Sequence, residues 1–135
     1  MALEQVTSVV DHIAVPGVPK SITPGKHAML DYGVAFTFFS LAAKFWRWHR
    51  PAATLAIING AMVLGVSMCT DYPGGIWRKI SFPMHGALDV MQASVAGLGP
   101  IVMGFAGDEE ARAFYGQAVS EVGVIAATDW HAQAA

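Results

Sequence analysis

The sequence predicts an all-α fold: an integral membrane four-helix bundle made of two parallel helical-hairpin repeats, with an interfacial helix at the N-terminus. Three observations predict it. Of 135 residues, 54% are apolar and only 13% are charged, about half the charged share of a soluble domain, and a chain this small has a large surface to cover with polar groups. The apolar residues gather in four stretches close to membrane-spanning length. The second half of the chain repeats polar residues of the first at a constant offset.

Residues 1–26 place Leu3, Val6, Val10 and Ile13 at helical spacing, with Glu4, Gln5 and Asp11 elsewhere, and stop at Pro16, Gly17 and Pro19. This reads as a short amphipathic helix lying on a membrane surface. It lacks the positive opening and continuous apolar core of a secretory signal.

A helix needs about 20 residues to cross a hydrocarbon core of about 30 Å. In the first hairpin, residues 27–72, one such stretch covers 27–46, with Asp31 and Lys44 near its ends, and a second, uncharged, covers 52–69. In the second hairpin with its tail, residues 73–135, the stretches are 84–106, where Asp89 is the only charge, and 113–128, which is short and holds Glu121. The connections carry turn residues: Arg47 to Pro51 is basic, Pro73-Gly74-Gly75 lies in the second, and Gly107-Asp108-Glu109-Glu110 forms the third. Trp46, Trp48, Tyr72, Trp77 and Trp130 flank the stretches, where amphipathic rings would sit at headgroup level.

Shifting the chain by 58 residues superposes Gly17 on Gly75, Ile22 on Ile80, His27 on His85, Leu30 on Leu88 and Asp31 on Asp89. The same shift brings Gly65-Val66 onto Gly123-Val124, Thr70-Asp71 onto Thr128-Asp129, and Tyr72 onto Trp130. Apolar matches are cheap in such a composition, but His-x-x-Leu-Asp and Thr-Asp-aromatic at one offset are not. Each repeat then holds two helices, and an even number makes the repeats parallel, related by an axis along the membrane normal.

Positions i and i+4 share a helix face, so His27 with Asp31 and His85 with Asp89 form two local pairs. Asp71 and Asp129 end the returning helices on the same side, so His27, Asp31, Asp71, His85, Asp89 and Asp129 are expected to converge in one polar cluster. Ionisable groups at membrane depth are costly and normally face protein or a cavity. One reading is structural, each carboxylate locking the hairpins through hydrogen bonds. Another is a metal or haem centre using His27 and His85, since imidazole and carboxylate suit several divalent metals and two histidines can clasp a haem. A third is a proton or solute path through Glu121, whose repeat partner is Val63. Close helix packing is expected at Gly60, Gly65, Gly97 and Gly104, and a kink at Pro100.

Catalytic signatures are missing from the sequence: it has no nucleophile elbow, phosphate loop or Cys-x-x-Cys. Cys69 stands alone, so neither an internal disulfide nor a Cys-rich zinc site can form. A net charge of −2 leaves no basic footprint for nucleic acid. The expected function is therefore non-enzymatic: a small structural or accessory transmembrane subunit of a bioenergetic assembly, respiratory or photosynthetic. Its expected partners are the lipid bilayer and other membrane subunits or further copies of itself. It requires no cofactor of its own, though contact with a haem or pigment of the assembly would fit.

The segment Leu98-Gly99-Pro100-Ile101-Val102-Met103-Gly104-Phe105 resembles the Pro-containing membrane segment of the bacterial SPW-repeat family of small duplicated membrane proteins. The resemblance implies paired two-helix repeats in a bacterial inner membrane and no defined activity. Gly99-Pro100-Ile101 stands where that family has Ser-Pro-Trp, and the first repeat has Leu41-Ala42-Ala43 there.

Overall fold

The computed structural model describes residues 2–13 and 15–133, apart from the side chains of residues 2–4 and 6–8; the predicted apolar positions Leu3 and Val6, and Glu4, lie outside the described side chains. It is all-helical, with α1 Ala2–Ile13, α2 Pro24–Phe45, α3 Arg50–Cys69, α4 Phe82–Val102 and α5 Ala111–Ala127, and no strand among the described residues. Helix α2 packs on α3, α4 on α5, α3 on α4, and α1 on α4. Among the described residues, one helix, α3, is long and apolar enough to cross a membrane, by length and composition alone.

The helix ends follow from local chemistry. Thr23 and Ser81 cap α2 and α4, each hydroxyl accepting from the backbone N–H three residues on, with a proline in the first turn where no N–H is missed. At α3 the cap is His49, whose Nδ1 accepts from the Ala52 N–H at 3.0 Å. Helix α4 ends at Val102, four residues short of the expected boundary. Pro100 lies only two residues from that end, and the chain turns at Gly104, φ 78°, with Phe105 N–H donating to the Pro100 carbonyl and Gly104 N–H to that of Ile101. These two bonds are a Schellman cap, so the expected kink is a stop instead.

Two apolar cores occupy opposite ends. One joins Phe38, Phe45, Leu55, Phe105 and Phe114 beneath the α2–α3 and α4–α5 connections. The other joins Val10, Ala28, Tyr72, Phe82, Ile125 and Trp130. Tyr72 and Trp130 are thus buried rather than at the surface, whereas Trp46, Trp48 and Trp77 are exposed as expected. Val10 and Ile13 dock α1 against this second core. Of the glycines expected in close contacts, Gly60 abuts Phe38 and Phe39 and Gly97 faces Ala118, while Gly65 and Gly104 face open space.

Crossed contacts tie the hairpins together. Ile22, before α2, forms a parallel bridge with Thr128, after α5; Ile80, before α4, does the same with Thr70, after α3. Each bridge repeats its hydrogen bonds at the 58-residue offset. Ile22 N–H donates to Ala127 O (3.0 Å) and Asp129 N–H to Ile22 O (3.0 Å); Ile80 N–H donates to Cys69 O (2.8 Å) and Asp71 N–H to Ile80 O (2.8 Å).

Gly75 is forced by close approach, because a Cβ there would lie 1.8 Å from the Thr70 carbonyl oxygen. Gly75→Ala is expected to destabilise the fold by about 3 kcal/mol or more, against about 1 kcal/mol for Gly104→Ala, which adds only the left-handed backbone penalty. Thermal melting followed by circular dichroism checks the order.

Candidate functional site

Helices α2 and α4 each begin at a capped turn and place a histidine in the first turn and an aspartate one turn further on. His27, Asp31, His85 and Asp89 come together beneath the crossed bridges, and all four are buried. The rings of His27 and His85 meet edge to face, centroids 5.0 Å apart, and Phe82, Trp130 and Tyr72 pack around them.

Each histidine is oriented by a threonine of the opposite hairpin. His27 Nδ1 lies 2.9 Å from Thr128 Oγ1, and His85 Nδ1 lies 2.8 Å from Thr70 Oγ1. Both hydroxyls donate their single proton along their own helices, Thr128 to the Val124 carbonyl and Thr70 to that of Val66. A hydroxyl that has spent its proton can only accept. Nδ1 therefore carries the proton on both rings, and the Nε2 atoms point inward.

Both carboxylates span both histidines. His27 Nε2 is 3.4 Å from Asp31 Oδ1 and 3.0 Å from Asp89 Oδ2. His85 Nε2 is 3.1 Å from Asp31 Oδ2 and 3.2 Å from Asp89 Oδ1. None of these oxygens stands where an N–H bond would reach it: His27 Nε2, His85 Nε2 and Asp89 Oδ2 are buried without a hydrogen-bond partner. One ligand atom each from His27, Asp31 and His85 fits within 4.8 Å, so these residues, with Asp89, could hold a metal ion. The edge-to-face ring contact and the intervening carboxylates leave no slot between the histidines for a porphyrin.

The two carboxylates are unequally supported. Asp31 Oδ2 accepts from Tyr72 Oη at 2.8 Å and Ser67 Oγ at 3.3 Å. The offset places Trp130 and Ile125 opposite Tyr72 and Ser67, and the Trp130 indole N–H donates to the Ile125 carbonyl instead. Burial pushes the Tyr72 phenol well above its ordinary value of 10, and the Asp31 charge adds to the effect. Tyr72 thus stays a donor.

Two expected members are absent. Asp71 is exposed beside Arg78, Nη1 to Oδ1 3.4 Å, and Asp129 accepts from the His131 backbone N–H. The reason is strand alternation: Thr70 and Thr128 are extended after their helices, so Thr and the following aromatic face inward and the Asp between faces away. Glu121 is buried and accepts from Gln117 at 2.9 Å. The sequence reading did not single out Gln92, which donates to Asn59 Oδ1 at 2.6 Å between α4 and α3; a lone amide on each of two apolar helices was the available signal. It also missed Tyr72 and Ser67 as donors, although Tyr72 lay inside the repeated Thr-Asp-aromatic motif.

The chain matches no family model, no curated protein and no solved structure.

Tyr72→Phe removes a buried hydrogen bond to a carboxylate and is expected to cost about 1.5–3 kcal/mol. Because the folded phenol titrates above its unfolded value, the wild-type protein loses stability as pH rises beyond about 10. The variant has no phenol at this position to contribute to that loss. Denaturant melts at neutral and alkaline pH measure both effects.

Proposed function

We propose that the chain is a membrane-embedded four-helix bundle of two parallel hairpin repeats, acting as a small accessory subunit that packs against other helices in a bacterial inner-membrane assembly. The observation that carries the reading is the band of large apolar side chains left exposed on every long helix. It comprises Phe36 and Phe39 on α2, Ile57 and Ile58 on α3, Met91, Leu98 and Ile101 on α4, and Val119 and Val122 on α5. Exposed apolar area on this scale marks contact with lipid or protein. The inward-facing polar residues agree with it, since α3, uncharged after its first residue, directs Asn59 and Ser67 inside. Helices of 17 to 22 residues reach about 25–33 Å at 1.5 Å per residue, a fair match to a hydrocarbon core.

The hydrogen bonds repeated at the 58-residue offset support parallel copies related by a pseudo-two-fold axis, the organisation that the SPW-like segment implies. Short connections leave little room for a separate catalytic lobe, which favours a packing role.

Alkaline extraction should leave the chain in the membrane pellet, and native electrophoresis of mildly solubilised membranes should place it in a complex several times its own mass. Release into the aqueous wash would end the membrane reading. A stable monomer that co-purifies with nothing would end the accessory-subunit reading.

A further inference from the structure

We propose that His27, Asp31, His85 and Asp89 form a binding site for one first-row divalent metal ion, which bridges the two hairpins. The proposal goes beyond the accessory role and stands whether or not the bundle lies in a bilayer.

With each Nδ1 turned to a threonine hydroxyl, His27 and His85 both aim Nε2 at the same two carboxylates. Two buried carboxylates side by side repel, and a positive charge between them relieves that repulsion. An N–H on either Nε2 would need an oxygen along its own direction, and both Nε2 atoms lack a partner in that geometry. An ion at the centre needs only convergence.

The spacing fits. Ligands about 2.0–2.1 Å from a tetrahedrally bound zinc stand about 3.3 Å from one another, and octahedral neighbours about 2.9 Å. The four nitrogen–oxygen separations run from 3.0 to 3.4 Å. The charge fits too: two carboxylates are neutralised by one dication, leaving a buried centre with no net charge. Asp89 Oδ2 is buried and unpartnered, while the Tyr72 and Ser67 hydroxyls both donate to Asp31 Oδ2.

The donor set selects the class of ion. Two imidazoles and two carboxylates suit zinc, iron(II), manganese(II) or cobalt(II), whereas calcium and magnesium take oxygen ligands alone and copper(I) prefers sulfur. The threonines supply the outer support that metal-binding histidines normally have on the second ring nitrogen. A cavity of about 10 Å³ adjoins the cluster between α3 and α4, lined by Asp31, Ser67, His85, Asp89 and Gln92. That is about the space of one water molecule, enough for one solvent ligand.

The full chain, purified in mild detergent without chelator, should carry about one first-row metal ion per chain by elemental analysis. After chelation, cobalt(II) titration should raise a visible d–d band that saturates at one equivalent. His27→Gln and His85→Gln should abolish the band. His49→Gln, which alters a histidine at the other end of the bundle, should leave it intact. Should the ligand variants fail to fold, Thr70→Val decides, because it keeps all four ligands and should weaken cobalt roughly 10–100-fold. Metal-free protein with no saturable uptake of cobalt(II), zinc(II), manganese(II) or iron(II) would overturn the proposal. So would a d–d band that survives the His27→Gln/His85→Gln double change, or a Thr70→Val protein that binds cobalt unchanged.

Discussion

A hydroxyl has one proton to give, and in this protein that constraint fixes the centre of the molecule. Thr70 and Thr128 commit their protons to the Val66 and Val124 carbonyls at the ends of α3 and α5, which makes them acceptors for the rings of His85 and His27. The rings cannot turn over without leaving a buried N–H unpaired, an error worth a large part of a small domain's stability. Because each threonine belongs to the hairpin opposite its histidine, the same two bonds that set the proton positions also hold the halves together.

Around this frame the two halves differ. Tyr72 and Ser67 give Asp31 two hydroxyl donors, while Trp130 and Ile125 offer Asp89 none and fill the space with apolar surface. The far end of the bundle shows no such pairing of halves. There the α2–α3 connection reaches the α4–α5 connection through His49 with Asp108, 3.0 Å, and Trp48 with Glu110, 3.2 Å, and the 58-residue counterpart of His49 is Gly107. Repetition is strict where the histidines sit and relaxed where the loops meet.

Much of this was legible in the residues. Long apolar runs broken by Pro, Gly and charge located four helices, and the runs beginning at residues 27 and 84 came within three residues of the starts of α2 and α4. The pairing of His27 with Asp31 and His85 with Asp89 followed from helical spacing and the offset. The fate of Asp71 and Asp129 did not, because helical reasoning was carried one residue too far: once the chain becomes extended, neighbours face opposite ways. Nor did the end of α4. Pro100 alone suggests a kink, and it takes Gly104, close behind it, to turn the kink into a cap. The crossed bridges were beyond reach, since a single pair of residues leaves no periodic trace.

The crossing of the bridges has a consequence for how the chain could be divided. The bridge partners of Ile22 and the threonine of His27 are supplied by the other hairpin, and Ile80 and His85 of that hairpin are served in return. The two halves are therefore reciprocal rather than merely adjacent. A hairpin released from its neighbour would present one histidine, one threonine and one open bridge edge, the complement that a second such hairpin would need to rebuild the arrangement as a two-chain assembly.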